Sequence, residues 1–180
     1  MVYKFRVILD AEEDVFRDIA ILEEDTLEDL HNAIVNAFGF DGLEIASFYT
    51  CDDEWNQEDE IPLFDTGDVP GEQKTMASYT LEGRFDEDNT KIIYVYDFLN
   101  MWTFFVELAA IEEVQVGVIY PDLLFSHGIM PAIAPEKEFG SDKDEDLYGD
   151  YDDDYDDDDL DLLDEDHGLE DLGFDEHNWN

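Results

Sequence analysis

YVYDFLNMWTFFVEL, residues 94–108, is the stretch on which the reading of this chain turns. Apolar and aromatic residues fill most positions, and Leu99, Asn100 and Met101 interrupt the run where a turn belongs. The pattern predicts two buried strands, 91–98 and 102–110, paired as a hairpin. Asp97, Asn100 and Glu107 stand inside it. Asp97 and Glu107 share the strand parity of Ile93, Val95, Thr103 and Phe105, which gives one face two carboxylates. Close together, such a pair suits acid–base work or a shared divalent cation. The alternative is that Asp97 caps the turn with its side chain while Glu107 faces solvent.

Working outward, VYKFRVIL (residues 2–9) sets Tyr3, Phe5, Val7 and Leu9 against Lys4 and Arg6, the period of a half-buried strand. EEDVFRDIAIL (12–22) follows as the second arm of a hairpin. TLEDLHNAIVNAF (26–38) reads as a helix, because Leu27, Leu30, Ile34, Ala37 and Phe38 share a face. Thr26 is its N-cap with Asp29 three residues on, and Gly39 stands where a C-terminal cap belongs. Ile45 to Tyr49 reads as a third strand. From Cys51 to Ser78 the pattern is a long, partly packed loop with a short strand near Ile61–Phe64, after which Tyr79 and Leu81 return to the core. VQVGVIY (114–120) alternates like a further strand, and beyond Pro121 prolines and glycines break regular structure. The fold class expected is α+β over residues 1–140: a mainly antiparallel β-sheet with one long N-terminal helix packed on one face, β-grasp-like.

Beyond residue 140 the composition changes. Residues 141–180 hold 20 acidic residues and one lysine. Like charges repel and apolar residues are sparse, so this segment reads as an acidic, low-complexity, disordered C-terminal tail. The body is acidic too: the chain carries 52 acidic against eight basic residues, a formal net charge of −44. Such a field repels phosphates and anionic lipid, which argues against nucleic acid and membrane surfaces and favours a basic protein partner. Divalent cations condense on it only weakly and unspecifically, because the Asp run 152–159 lacks EF-hand spacing.

Cys51 is the sole cysteine, so no disulfide forms within the chain. The N-terminus lacks a signal-peptide pattern, and no run approaches the ~20 apolar residues of a membrane span. A cytoplasmic location is expected. No phosphate-binding glycine loop, nucleophile elbow, H-E-x-x-H or C-x-x-C occurs, and one cysteine with four histidines makes no zinc pattern, so no cofactor or metal is expected.

LEDLHNAIVNAFGFDGLEIASF (27–48) and the 94–108 stretch together resemble the plasmid pRi ORF-three-like family of plasmid-borne or transposon passenger-type proteins. That family's helix-to-strand pattern is L-x-x-L-H-x-x-I-x-x-A-F-G-W-x-x-x-H-L-x-x-F. Leu27, Leu30, His31, Ile34, Ala37, Phe38, Gly39, Ile45 and Phe48 match it, with Phe40 at its tryptophan and Glu44 at its second histidine. In the hairpin Tyr96, Asp97, Phe98 and Trp102 match, Leu99 replaces a glycine, Asn100 an aspartate and Phe104 a histidine, and Glu107 lies near an acidic position. The resemblance covers roughly residues 1–120. It implies a β-sheet flanked by a helix and no reaction. Any polar or metal site of the family lacks three pieces here, at Glu44, Asn100 and Phe104.

The candidate binding residues are Trp55, Asp97, Trp102, Glu107 and His31. Trp55 sits among Asp52, Asp53, Glu54, Glu58, Asp59 and Glu60, either as an interface anchor or as a pin for its own loop. His31, about 100° round the helix from the apolar stripe, lacks a ligand partner at i+3 or i+4 and reads as packed or hydrogen-bonded locally. The function expected is a non-enzymatic interaction module whose acidic surface and tail bind a basic partner. One alternative is a vestigial or unrecognised enzyme, or a divalent-metal protein, using Asp97 and Glu107 with His31 nearby. The other is a DNA mimic whose carboxylates imitate phosphates.

Overall fold

The alternating segments at both ends of the domain form the two hairpins their period predicts. In the computed structural model, which describes residues 1–65, 67 and 74–136, β1 (Val2–Leu9) pairs with β2 (Phe16–Leu22). β5 (Lys91–Tyr96) likewise pairs with β6 (Trp102–Glu112). A ladder between β1 and β6 joins the two hairpins. β3 (Ala46–Cys51) and β4 (Gln57–Pro62) extend one side and β7 (Asp122–His127) the other. The order across the seven-stranded sheet is β4-β3-β5-β6-β1-β2-β7, and every ladder is antiparallel. The chain is thus an α+β domain built on an antiparallel sheet, with one α-helix and a short 3-10 turn (Met76–Ser78) among the described residues.

That helix, α1 (Leu27–Phe38), begins and ends where its caps dictate. The Asp29 N–H donates to Thr26 Oγ1 at 3.2 Å and the Thr26 N–H to the Asp29 carboxylate at 2.8 Å, and Gly39 closes the far end at φ 77°. Only glycine adopts that φ without strain. At twelve residues the helix has ordinary length, so the expectation of a long helix is corrected. Leu27, Leu30 and Ile34 are fully buried, as are Phe5 and Val7 of β1, Tyr94 of β5, and Phe104 and Val106 of β6. Each such aliphatic or Phe side chain contributes about 1.5–3 kcal/mol relative to exposure. Met76, Leu81 and Phe85 close the core's other end, where the Tyr3 hydroxyl donates to the Phe85 carbonyl at 3.3 Å.

Two expectations fail on the C-terminal side. Residues 114–120 form no strand: Gly117 takes φ 87°, and Val116 and Ile119 stand out in solvent. Alternation makes a strand only where one face can be buried and an edge is open, and the open edge of β2 is occupied by β7, from the stretch read as irregular. Arg17 helps to explain why β7 docks there. Its guanidinium, in a residue only 8% exposed, donates to the carbonyls of Ala37 at 3.3 Å, His127 at 2.7 Å and Gly128 at 3.4 Å. The end of α1, β2 and β7 are thereby tied to one cation, whose pKa burial lowers.

On the other side, β4 begins four residues before Ile61, in the polar run Gln57–Glu60. An edge strand can carry charge on both faces. Here the Ser47 and Tyr49 hydroxyls of β3 donate to Glu60, at 2.7 and 3.2 Å, and brace it. All described residues belong to one compact unit, Met1–Lys137. The acidic tail expected over 141–180, and the boundary near 140, lie outside the described residues. Among the described residues no helix is long and apolar enough to cross a membrane.

Candidate functional site

The positions at which the chain departs from the resemblance gather around one corner, the end of β5. Tyr96 is buried there, its hydroxyl donating to Asp41 Oδ1 at 2.9 Å and accepting the Gly42 N–H at 3.1 Å. Burial first, then the Asp41 carboxylate, pushes the Tyr96 hydroxyl pKa up. Asp41 is held low, first by the Leu43 N–H and then by Tyr96. Phe40 stacks on the Tyr96 ring at 4.4 Å and meets Trp102 and Phe104 edge-on at 5.5 and 6.1 Å. Phe40 and Phe104 occupy the tryptophan and histidine positions of the pattern. The corner is therefore an aromatic cluster, and Trp102, one of the candidate residues, is buried within it.

Asp97 lies one residue beyond, in the β5–β6 turn at φ 59°. Its Oδ1 accepts the N–H groups of Leu99 and Asn100 at 3.1 and 3.3 Å, and its Oδ2 accepts Asn100 Nδ2 at 2.5 Å. The Asn100 side chain is the main cause that lowers the Asp97 pKa. Its carbonyl accepts the Met101 N–H at 2.6 Å and its own N–H donates to the Ile45 carbonyl at 2.9 Å. A carboxylate so engaged shapes the turn.

Glu107 lies at the other end of the same hairpin. It stands opposite Lys91 on one side and Arg6 on the other, on the face away from α1. Trp102 pairs with Tyr96 at the turn, so Glu107 lies five residues, about 17 Å, further along β6. The two carboxylates do not form a pair. Among the described residues no three His, Cys, Asp or Glu side chains group as metal ligands would.

His31 is in a third place. It is 3% exposed, and its Nδ1 lies 2.7 Å from the Tyr94 hydroxyl of the central strand β5. His31 is packed, as one of the two expected readings has it, and its hydrogen bond is not local, since the partner is 63 residues away. The apolar face of α1 is broad enough to take in His31, and Tyr94 offers the polar contact that makes its burial tolerable. Burial pushes the His31 pKa down to about 4 and the Tyr94 hydroxyl up.

Trp55 folds back from the β3–β4 loop. Its ring meets Phe105 of β6 edge-on at 4.9 Å, with Lys91 Nζ 5.2 Å above it. Lys91 also donates to the Asp53 carbonyl at 2.7 Å. Asp52 shapes the loop by accepting the Glu54 and Asn56 N–H groups, both at 2.9 Å, and Asn56 Nδ2 at 2.7 Å. Trp55 is half-buried, while Asp52, Asp53, Glu54, Glu58, Asp59 and Glu60 around it are exposed.

Reasoning from the sequence passed over Tyr94 and Asp41, and took Tyr96 only as a match to the family pattern. Tyrosines set among buried Ile and Val carry a signal, because a buried hydroxyl needs a partner. Asp41-Gly42 is a turn dipeptide, and its Asp is positioned to accept.

Compared with known proteins, residues 1–178 match the sequence pattern of a family described as plasmid pRiA4b ORF-3-like protein. The match runs well past the region on which the resemblance was read. Among solved structures, a protein of unknown function from Methanosarcina mazei Go1 is similar. Its TM-score is 0.60 at 25% identity, over 69% of this chain and 68% of that one. None of the curated proteins compared matches.

Proposed function

Since the chain belongs to the plasmid pRiA4b ORF-3-like family, we propose that it is a non-enzymatic interaction module whose acidic surface and tail bind a basic protein. The observation that carries this reading is the β3–β4 edge. Asp52, Asp53, Glu54, Glu58, Asp59 and Glu60 are all exposed there, on a braced strand and a capped loop. The basic side chains of the sheet strands are already engaged, Lys4 with Glu112, Arg6 with Asp18, Arg17 with backbone carbonyls and Lys91 over the Trp55 ring. The negative field at this edge is therefore available to a partner. Screening limits it to about 8 Å at physiological salt, so it acts on encounter rate and specificity at close range.

The metal or acid–base reading finds no support in the separation of Asp97, Glu107 and His31. The opening hairpin followed by a helix and a second hairpin supports a β-grasp-like description, from which the antiparallel β1–β6 ladder departs, and the single Cys51 fits a cytoplasmic setting. The test is capture from native lysate at low and high salt, with the full chain and a version ending at Gly140 as baits. Salt-sensitive capture of a basic protein by the full chain supports the reading. Loss on truncation assigns recruitment to the tail, and retention assigns it to the body. Absence of any capture removes its support.

A further inference from the structure

The two edges of the sheet are built oppositely. β4 presents Gln57, Glu58, Asp59 and Glu60, the charge that deters strand addition. β7 presents Leu123, Leu124 and Phe125, which are 46%, 45% and 52% exposed, and the whole strand lies open to solvent. In the sequence on either side, Val116, Ile119, Ile129 and Ile133 are exposed as well. Ten of the seventeen exposed large apolar side chains among the described residues fall between Ile111 and Ile133. From Val114 to Ala134 the sequence has one carboxylate, Asp122, and no Lys or Arg, in a chain with 52 acidic residues in 180. An unprotected apolar edge of this extent marks an interaction surface.

We propose that β7 and its flanks form the twofold interface of a homodimer, with β7 pairing antiparallel to β7 of a second copy. A basic partner is poorly matched here, because this face offers a single carboxylate. A second copy fits by charge and by pattern. A twofold axis between Leu124 and Phe125 sets Asp122 opposite His127 of the second copy, twice, and Leu124 opposite Phe125, twice. The only two ionisable side chains of β7 then meet as complementary pairs around an apolar centre, as an isologous contact requires.

Leu124 stands at a bulge with no ladder partner on β2, so it contributes an uncovered side chain to that centre. Beside it, between α1 and β7, a recess of about 170 Å³ lined by Ile19, Ala33, Ala37, Pro121 and Leu123, with Asn36 and Asp122 as its polar members, offers a seat for a side chain from the other copy. The exposed apolar side chains of β7 itself, Leu123, Leu124 and Phe125, supply the centre of that contact. The acidic β4 edge lies six strands away, about 29 Å, which is several screening lengths at physiological salt. Repulsion from that edge therefore reaches the interface weakly.

The test is the mass of the full chain by sedimentation equilibrium at about 0.15 M and about 0.5 M salt. A dimer that tightens at the higher salt is expected. Leu124→Lys should raise its dissociation constant by roughly tenfold or more, as loss of a central contact does. Glu58→Lys on the opposite edge should not raise it, and both variants should keep the far-UV spectrum and melting temperature of the parent. His127→Glu should weaken the dimer, and adding Asp122→Lys should restore it. A monomer at both salts overturns the proposal and leaves this face to a different protein. A dimer indifferent to Leu124→Lys overturns it by placing the interface elsewhere.

Discussion

His31 of α1 and Tyr94 of β5 meet across the helix–sheet interface at 2.7 Å, both buried among apolar side chains. The imidazole is held neutral, with its pKa pushed down to about 4 by burial. In an unfolded chain the value is ~6.5, so between the two it is the unfolded state that binds the extra proton. This contribution is fully present above about pH 6.5 and is lost as the pH falls towards 4, an effect of about 3 kcal/mol. Urea unfolding at pH 7 and pH 4.5 should show the parent losing more stability than His31→Gln. The comparison cancels the carboxylates common to both, and equal losses would contradict it.

Tyr94→Phe removes the other half of the pair and leaves a buried imidazole nitrogen without its partner. The expected cost is about 1–3 kcal/mol by denaturant unfolding.

Gly128 follows β7 at φ 75°, and a Cβ there would stand 2.3 Å from the Asp14 carbonyl. Gly128→Ala has to displace backbone as well as strain it, and should cost more than about 2 kcal/mol. Hydrogen exchange should localise the loosening to β7 and to the β2 amides that pair with it.

Thr26→Ala breaks the capping box at the start of α1. Thermal unfolding should show a loss of about 1 kcal/mol.

Trp55→Ala removes the Phe105 contact and the seat of Lys91, at an expected cost of about 1 kcal/mol. If Trp55 only pins its loop, capture of a partner should survive this change. Loss of capture in a folded variant would make the ring an anchor.

The elements legible in the sequence were those whose side chains have a face to bury. Tyr3, Phe5, Val7 and Leu9 mark β1, and Thr26, Asp29 and Gly39 bound α1 to within a residue. β7 escaped, and β4 was foreseen only at its end near Ile61, because edge strands are held by backbone pairing and by contacts that leave no period, such as Ser47 on Glu60 and Arg17 on His127. The same limit applied at the site. Asp97 and Glu107 share a strand parity, yet the hairpin sets them about 17 Å apart along it. His31 looked local because its partner Tyr94 comes from a strand that only the fold brings near.

Charge at the β3–β4 edge and in the tail is the core of the functional reading, and the salt dependence of partner binding tests it most directly. The full chain and its Asp53→Lys, Glu54→Lys, Asp59→Lys triple variant are titrated against the captured basic protein at about 0.05 M and about 0.3 M salt. The expected result is an affinity that falls steeply with salt in the parent and is weakened roughly tenfold or more by charge reversal. An affinity indifferent to both salt and charge reversal would contradict the account.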